Sequence, residues 1–64
     1  MIKEILDKYI YYIKQHQLTQ QEAADMVHIS RTHLSRVLRG ERAPSMALLQ
    51  RMENVMEYGE SHKK

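Results

Sequence analysis

The arginines of this chain concentrate in one stretch. Residues 28–51 contain all five of them: Arg31, Arg36, Arg39, Arg42 and Arg51. Glu41 is the single acid there, so the stretch carries a net charge of +4, while 1–27 and 52–64 carry −1 each. A guanidinium can donate two parallel hydrogen bonds to a guanine edge or to a phosphate, which a lysine cannot do. The segment is therefore suited to contact base edges or phosphates.

Most of these arginines fall on or near a short predicted helix, residues 31–39. Ser30 is a residue type that caps helix N-termini, and Gly40 suits the left-handed position after a helix end. Helical spacing predicts a core-facing side made of Leu34, Val37 and Leu38. The remaining side then carries the polar residues Thr32, Ser35, Arg36 and Arg39, with Arg31 in the first turn.

A second predicted helix, about 20–27, comes just before the first. Thr19 followed by Glu22 three residues later is a capping-box pattern. The inward side of this helix is small and apolar: Ala23, Ala24 and Val27. Residues 28–30 form the turn between the two helices. Two short helices that share a small core, one of them presenting arginine and hydroxyl groups outward, are the layout of a DNA-reading helix-turn-helix.

Two longer amphipathic helices, about 2–16 and 46–58, complete the predicted fold. The apolar face of the first comprises Ile2, Ile5, Leu6, Tyr9, Ile13 and His16. Tyr11 points away from that face and is expected to be exposed. Ser45 caps the last helix, whose stripe comprises Leu48, Leu49, Met52, Val55 and Met56. We therefore predict an all-α fold of four, at most five, helices in one domain, 1–58, followed by a polar tail, 59–64.

Composition limits the possible functions. Sixty-four residues suffice for one small domain, and the absence of cysteine excludes disulfides and thiolate metal sites. The four histidines lack the spacing of a metal site, and so small a bundle gives no support for a catalytic pocket. We expect no metal, no cofactor and no enzymatic activity. No signal peptide or membrane-spanning run is evident, which favours a cytoplasmic protein.

Several short motifs occur at fixed spacing in the central segment. They are Leu18-Thr19-Gln20, Ile29-Ser30-Arg31, Gly40, and Arg42-Ala43-Pro44-Ser45. Together with the buried pattern, they resemble the lambda repressor and Cro-like proteins, the XRE family, over nearly the whole chain. His28 departs from that family, since the turn position is usually glycine. Ile13 and Leu38 also depart, because many members bury an ion pair at these positions.

The resemblance implies double-stranded DNA as the partner. Residues at positions that usually meet base edges are Arg31, Thr32, Ser35 and Arg36. Residues at positions that usually meet the DNA backbone are Gln20, Ser30, His33, Arg39 and Arg42. Ser35 could contact either a base or a phosphate. The alternative role for Gln20 and Ser30 is capping alone, and for Arg31 and Arg36 it is a solvated surface.

The leading functional hypothesis is a sequence-specific regulator, a phage- or plasmid-type repressor that binds an inverted-repeat operator as a homodimer. Met56 and Tyr58 are the candidate dimer contacts, with Tyr11 as the alternative. One competing hypothesis is the antitoxin of a toxin–antitoxin pair, which would add a protein partner. Another is a protein-interaction module without DNA contact, against which the arginine segment argues.

Overall fold

Four helices arranged in two pairs form the fold. The computed structural model describes residues 2–58, which contain α1 (Ile2–Gln15), α2 (Gln20–Met26), α3 (Arg31–Leu38) and α4 (Met46–Tyr58), with no strand among them. α1 packs against α4, and α2 packs against α3. The all-α, four-helix prediction is confirmed. The predicted tail, 59–64, lies outside the described residues. None of the helices within 2–58 is long and apolar enough to cross a bilayer.

The core lies between the helices and is built mostly from the faces that the sequence pattern predicts. Ile2 is an exception, because the periodicity places it on the apolar face of α1 and it is 47 % exposed. The buried members of the core are Tyr9, Ala23, Ala24, Val27, Leu34, Val37, Leu48, Leu49, Met52 and Val55. Ile13 and Leu38, at which many of the proteins that this chain resembles bury an ion pair, are partly buried and pack against this core. Two packed aliphatic residues in place of a buried ion pair are often neutral or stabilising, so this departure leaves the fold intact.

The end of α1 differs from the prediction. The periodicity extends the apolar face to His16, and this is wrong: α1 ends at Gln15 and His16 is exposed. The backbone turns out of the helix at Gln17, which adopts a φ of 54°. The His16 ring instead lies against Tyr12, with 4.2 Å between ring centroids. Tyr11 is 64 % exposed, as its position opposite the apolar stripe predicts.

The predicted N-terminal caps are all confirmed. The Thr19 hydroxyl accepts a hydrogen bond from the Glu22 N–H at 3.0 Å, and the Glu22 carboxylate accepts one from the Thr19 N–H at 2.9 Å. The Ser30 and Ser45 hydroxyls each accept the N–H three residues on, at 3.1 Å. These bonds satisfy donors that have no partner within the helix, so they fix where α2, α3 and α4 begin.

The first three helices end in the same way, with one residue in the left-handed region. That residue is Gln17 (φ 54°) after α1, His28 (φ 63°) after α2 and Gly40 (φ 81°) after α3. At each end two N–H groups bond back to carbonyls three and five residues earlier, which is the Schellman arrangement. His28 therefore adopts the left-handed conformation, which explains why glycine is the usual residue at this turn. The same conformation at Gln17 has no signal in the sequence, because glutamine is not a residue type that marks helix ends.

Exchanging side chains at these helix ends should change stability in opposite directions. Gly40→Ala should lower the free energy of unfolding by ~1 kcal/mol, because an L side chain pays a conformational cost at positive φ. An added Cβ would meet no atom within 4 Å, so the cost is conformational and not a clash. His28→Gly should raise the free energy of unfolding, because glycine adopts a positive φ without steric cost. The gain should be only ~0.5 kcal/mol, since histidine tolerates a positive φ better than most residues. Urea denaturation of both variants measures this, and changes of equal sign would contradict it.

Candidate nucleic-acid interface

α3 separates an apolar side from a polar side along its length. Leu34 and Val37 are completely buried, which fixes the rotation of the helix about its axis. Arg31, Thr32 and Arg36 are consequently exposed, and Ser35 is half-buried beside them. α3 thus holds two guanidinium groups and two hydroxyl groups on the side that faces solvent.

The start of α3 is anchored by Ser30. Its hydroxyl oxygen accepts the His33 N–H, so the capping role expected for Ser30 is real. The hydroxyl proton is still available for donation to an acceptor outside the protein. The first N–H groups of α3 have no partner within the helix, and a helix N-terminus of this kind favours anions such as phosphate.

The loop after α3 brings a further arginine to the same side. Ser30, Thr32, His33, Arg36 and Arg42 together line a shallow depression of about 250 Å³. Arg36 belongs to the helix and Arg42 to the loop after Gly40, yet both border this one depression. Residues assigned from the sequence to base edges and to the DNA backbone therefore lie side by side.

A comparison with known proteins identifies the arrangement. A family model described as helix-turn-helix matches residues 10–61, most of the chain. The chain belongs to the XRE-type helix-turn-helix family. It is thus a DNA-binding transcription regulator of that type. No curated protein and no solved structure matches it significantly.

Arg39 has an acidic neighbour in this helix-turn-helix domain. Its Nε lies 3.6 Å from the Glu41 carboxylate, with both side chains more than half exposed. Arg39 also borders a different depression from Arg36, one shared with α1 and the loop. Arg42 borders both depressions, so it is a neighbour of Arg36 in one and of Arg39 in the other. An exposed ion pair contributes little to stability, so a phosphate can displace Glu41 from Arg39 at small cost.

Arg51 has a structural contact that the sequence does not reveal. It is exposed on α4, and its Nη1 donates to the Val27 carbonyl at the end of α2, at 3.3 Å. This bond ties α4 to the turn before α3. Arg51 therefore has a structural contact within the domain, and not every arginine of 28–51 need belong to the DNA interface. A bond across 24 residues depends on packing and has no local sequence signal.

Three further predicted contacts, Gln20, Arg31 and Ser35, occupy different positions. Gln20 is exposed at the first position of α2, where Thr19 and Glu22 already perform the capping. The cap of α2 is thus Thr19, and a contact of Gln20 with the DNA backbone stays a prediction. Gln20 does not line the depression around Arg36 and Arg42, and neither do Arg31 and Ser35.

Among residues 2–58 no group of three or more histidines and carboxylates is placed to hold a metal ion.

Proposed function

We propose that this regulator is a sequence-specific repressor that binds an inverted-repeat operator as a homodimer, with α3 in the major groove. The observation that carries the proposal is the shared depression bordered by Arg36 of α3 and Arg42 of the loop. A helix that enters the groove needs side chains at the base edges and cations on the flanking phosphates at the same time. The proximity of an arginine on the helix, Arg36, to one on the following loop, Arg42, supports such a division of roles.

The residues of the interface divide into two roles under this proposal. Arg31, Thr32, Ser35 and Arg36 contact base edges, because they lie on the solvent side of α3. Backbone contacts come from the ends of helices and from the loop: Gln20, Ser30, His33, Arg39 and Arg42. A single α3 reads only a few base pairs, so a unique genomic site requires two copies. The homodimer then spans half-sites roughly one helical turn apart.

Repression follows from occupancy of the site. A dimer bound over a promoter excludes polymerase sterically and needs no cofactor. The protein acts where the DNA is, in the cytoplasm of a bacterial cell. Met56 and Tyr58, near the end of α4, are the proposed dimer contacts, since Tyr58 is 74 % exposed and Met56 is half-buried.

Selection of bound sequences from random duplexes tests the proposal. Enrichment of an inverted repeat, with half-site centres about 10 base pairs apart, is the expected result. A reporter placed downstream of the selected site should then lose expression when the protein is present. Enrichment of a single asymmetric site, or no enrichment at all, would contradict the proposed operator.

Arg42 should contribute affinity without sequence preference. Arg42→Ala should weaken binding to all duplexes similarly and lower the magnitude of the salt slope by ~1, because one phosphate contact is lost. Fluorescence anisotropy across a salt series measures both quantities. Arg42→Lys keeps the charge and is the control, with the slope expected to stay near that of the wild type. A changed base preference at any operator position would show that Arg42 reads sequence.

A further inference from the structure

A groove between α1 and α4 has walls of opposite charge. It is lined by Ile5 and Lys8 of α1 and by Glu53, Met56 and Glu57 of α4, and encloses about 340 Å³. Ile5 and Met56 are half-buried and form an apolar floor, while Lys8, Glu53 and Glu57 are exposed. None of these residues belongs to α3, so the groove is separate from the proposed DNA contacts.

The charges of the groove are not paired across it within one chain. In residues 2–58 no ion pair joins Lys8 to Glu53 or Glu57. Lys8 does interact electrostatically with Glu4, one turn earlier on α1. Both side chains are exposed, so this interaction is weak and does not prevent Lys8 from approaching a carboxylate of a partner. The cationic wall of α1 and the acidic wall of α4 therefore both remain available to a partner.

A two-fold axis that runs along the length of such a groove brings unlike walls face to face. It carries each wall onto the opposite side, so the α1 wall of one copy faces the α4 wall of the other. Lys8 then meets the acidic wall of the second copy, and the same contact occurs a second time by symmetry. The apolar floors, Ile5 and Met56, meet at the axis. A groove with a cationic wall and an acidic wall is thus complementary to itself about an axis along its length, whereas an axis across the groove would bring like charges together.

We propose that this groove, here named the α1–α4 groove, is the homodimer surface, and that its occupant is a second copy of the chain. The inference rests on the proposed function, and it adds Ile5 and Lys8 of α1 to the α4 contacts, Met56 and Tyr58, named there. Tyr58 follows Glu57 directly and is 74 % exposed, so it adds apolar surface at the end of the acidic wall. The groove is small, which fits a weak dimer that becomes firm when both copies hold one operator.

Charge reversal tests the inference on the full chain without DNA. Sedimentation equilibrium should show that Lys8→Glu and Glu57→Lys each weaken dimerisation about 10-fold, because each repels the facing wall twice. The double variant Lys8→Glu/Glu57→Lys should restore the wild-type dissociation constant within about 3-fold. Dimerisation of the wild type should also weaken as salt is raised, since exposed charges are screened.

Lys3→Glu provides the matched control. It makes the same charge change on the same helix, but Lys3 lies outside the α1–α4 groove. An equal loss of dimer in this variant, or no rescue in the double variant, would overturn the inference. A wild-type chain that stays monomeric at all concentrations would overturn it as well. Binding of each variant to a single half-site duplex is measured in parallel and should not change, because failure there points to the DNA-binding proposal instead.

Discussion

Tyr9→Ala is expected to lower the free energy of unfolding by ~3–5 kcal/mol, a large share of the total stability of so small a chain. Tyr9 is completely buried and is among the largest such side chains of the core. Truncation of a buried aromatic residue to alanine costs ~3–5 kcal/mol, through lost burial and the cavity left behind. A chain of 64 residues has a total stability of only ~3–10 kcal/mol. Circular dichroism and urea denaturation would reveal the loss, and a cooperative, wild-type-like transition would contradict it.

Tyr9→Phe isolates the hydroxyl group of this residue. The hydroxyl donates to the Ala23 carbonyl at 2.8 Å, and that carbonyl is at the end of α2, where the Val27 N–H bonds to Ala24 instead. Loss of this bond should cost ~1–2 kcal/mol, because the buried carbonyl is left without its donor. Tyr11→Phe is the control, since Tyr11 is 64 % exposed and its change should be within ~0.5 kcal/mol.

The Tyr9 hydroxyl should make the free energy of unfolding depend on pH in the alkaline range. Burial, and secondarily the neighbouring Tyr12, raises the pKa of Tyr9 from 10.0 to about 12. Unfolded chains then lose the hydroxyl proton at a lower pH than folded ones. The stabilisation that the Tyr9 hydroxyl gives the folded state is therefore complete below pH 10 and declines as the pH rises toward 12. The difference in unfolding free energy between wild type and Tyr9→Phe should therefore shrink over that window. A constant difference would show that the hydroxyl does not titrate differently in the two states.

Arg31→Ala and Arg36→Ala are expected to relax sequence preference as well as weaken binding. Each bidentate contact to a base contributes ~1–3 kcal/mol of discrimination against the wrong base pair. Both side chains are exposed on the solvent side of α3, so their truncation should leave the unfolding free energy within ~0.5 kcal/mol of the wild type. Affinities for the operator and for single-base variants of it, measured at fixed salt, give the discrimination directly.

Arg36→Lys separates the two explanations for a loss of affinity. Lysine keeps the positive charge but cannot reproduce the two parallel bonds of a guanidinium. If Arg36 reads a base, this variant loses discrimination and keeps most of its affinity for random DNA. If Arg31→Ala and Arg36→Ala lose equal affinity for operator and random DNA, both residues are phosphate contacts and their assignment to bases is wrong.

Local sequence patterns predicted most of the fold because the interactions involved span a few residues. Thr19 with Glu22, and Ser30 and Ser45, cap helices through bonds to the third residue on. The core faces follow from helical periodicity in the same way. His16 shows the limit of this reasoning, since the helix ended one residue before the periodicity did.

Contacts between distant parts of the chain could not be predicted. The bond from Tyr9 to Ala23 and the bond from Arg51 to Val27 join residues whose proximity depends on how whole helices pack. The position of Arg42 beside Arg36 has the same origin, because it depends on the path of the loop after Gly40. The residue types of the candidate site were therefore readable from the sequence, whereas their grouping required the structure.

The division of α3 into a buried side and a solvent side bears on how such regulators diversify. Leu34 and Val37 hold the helix in place, while Arg31, Thr32 and Arg36 take no part in the buried core. Under the proposed contacts, exchanges at the outer positions would alter what is read at little cost in folding, and exchanges at the inner positions would do the reverse. If α3 reads DNA as proposed, new operator preferences could arise through successive exchanges that leave the free energy of unfolding nearly unchanged. A duplicated copy could then acquire sites different from its parent's while keeping the same scaffold.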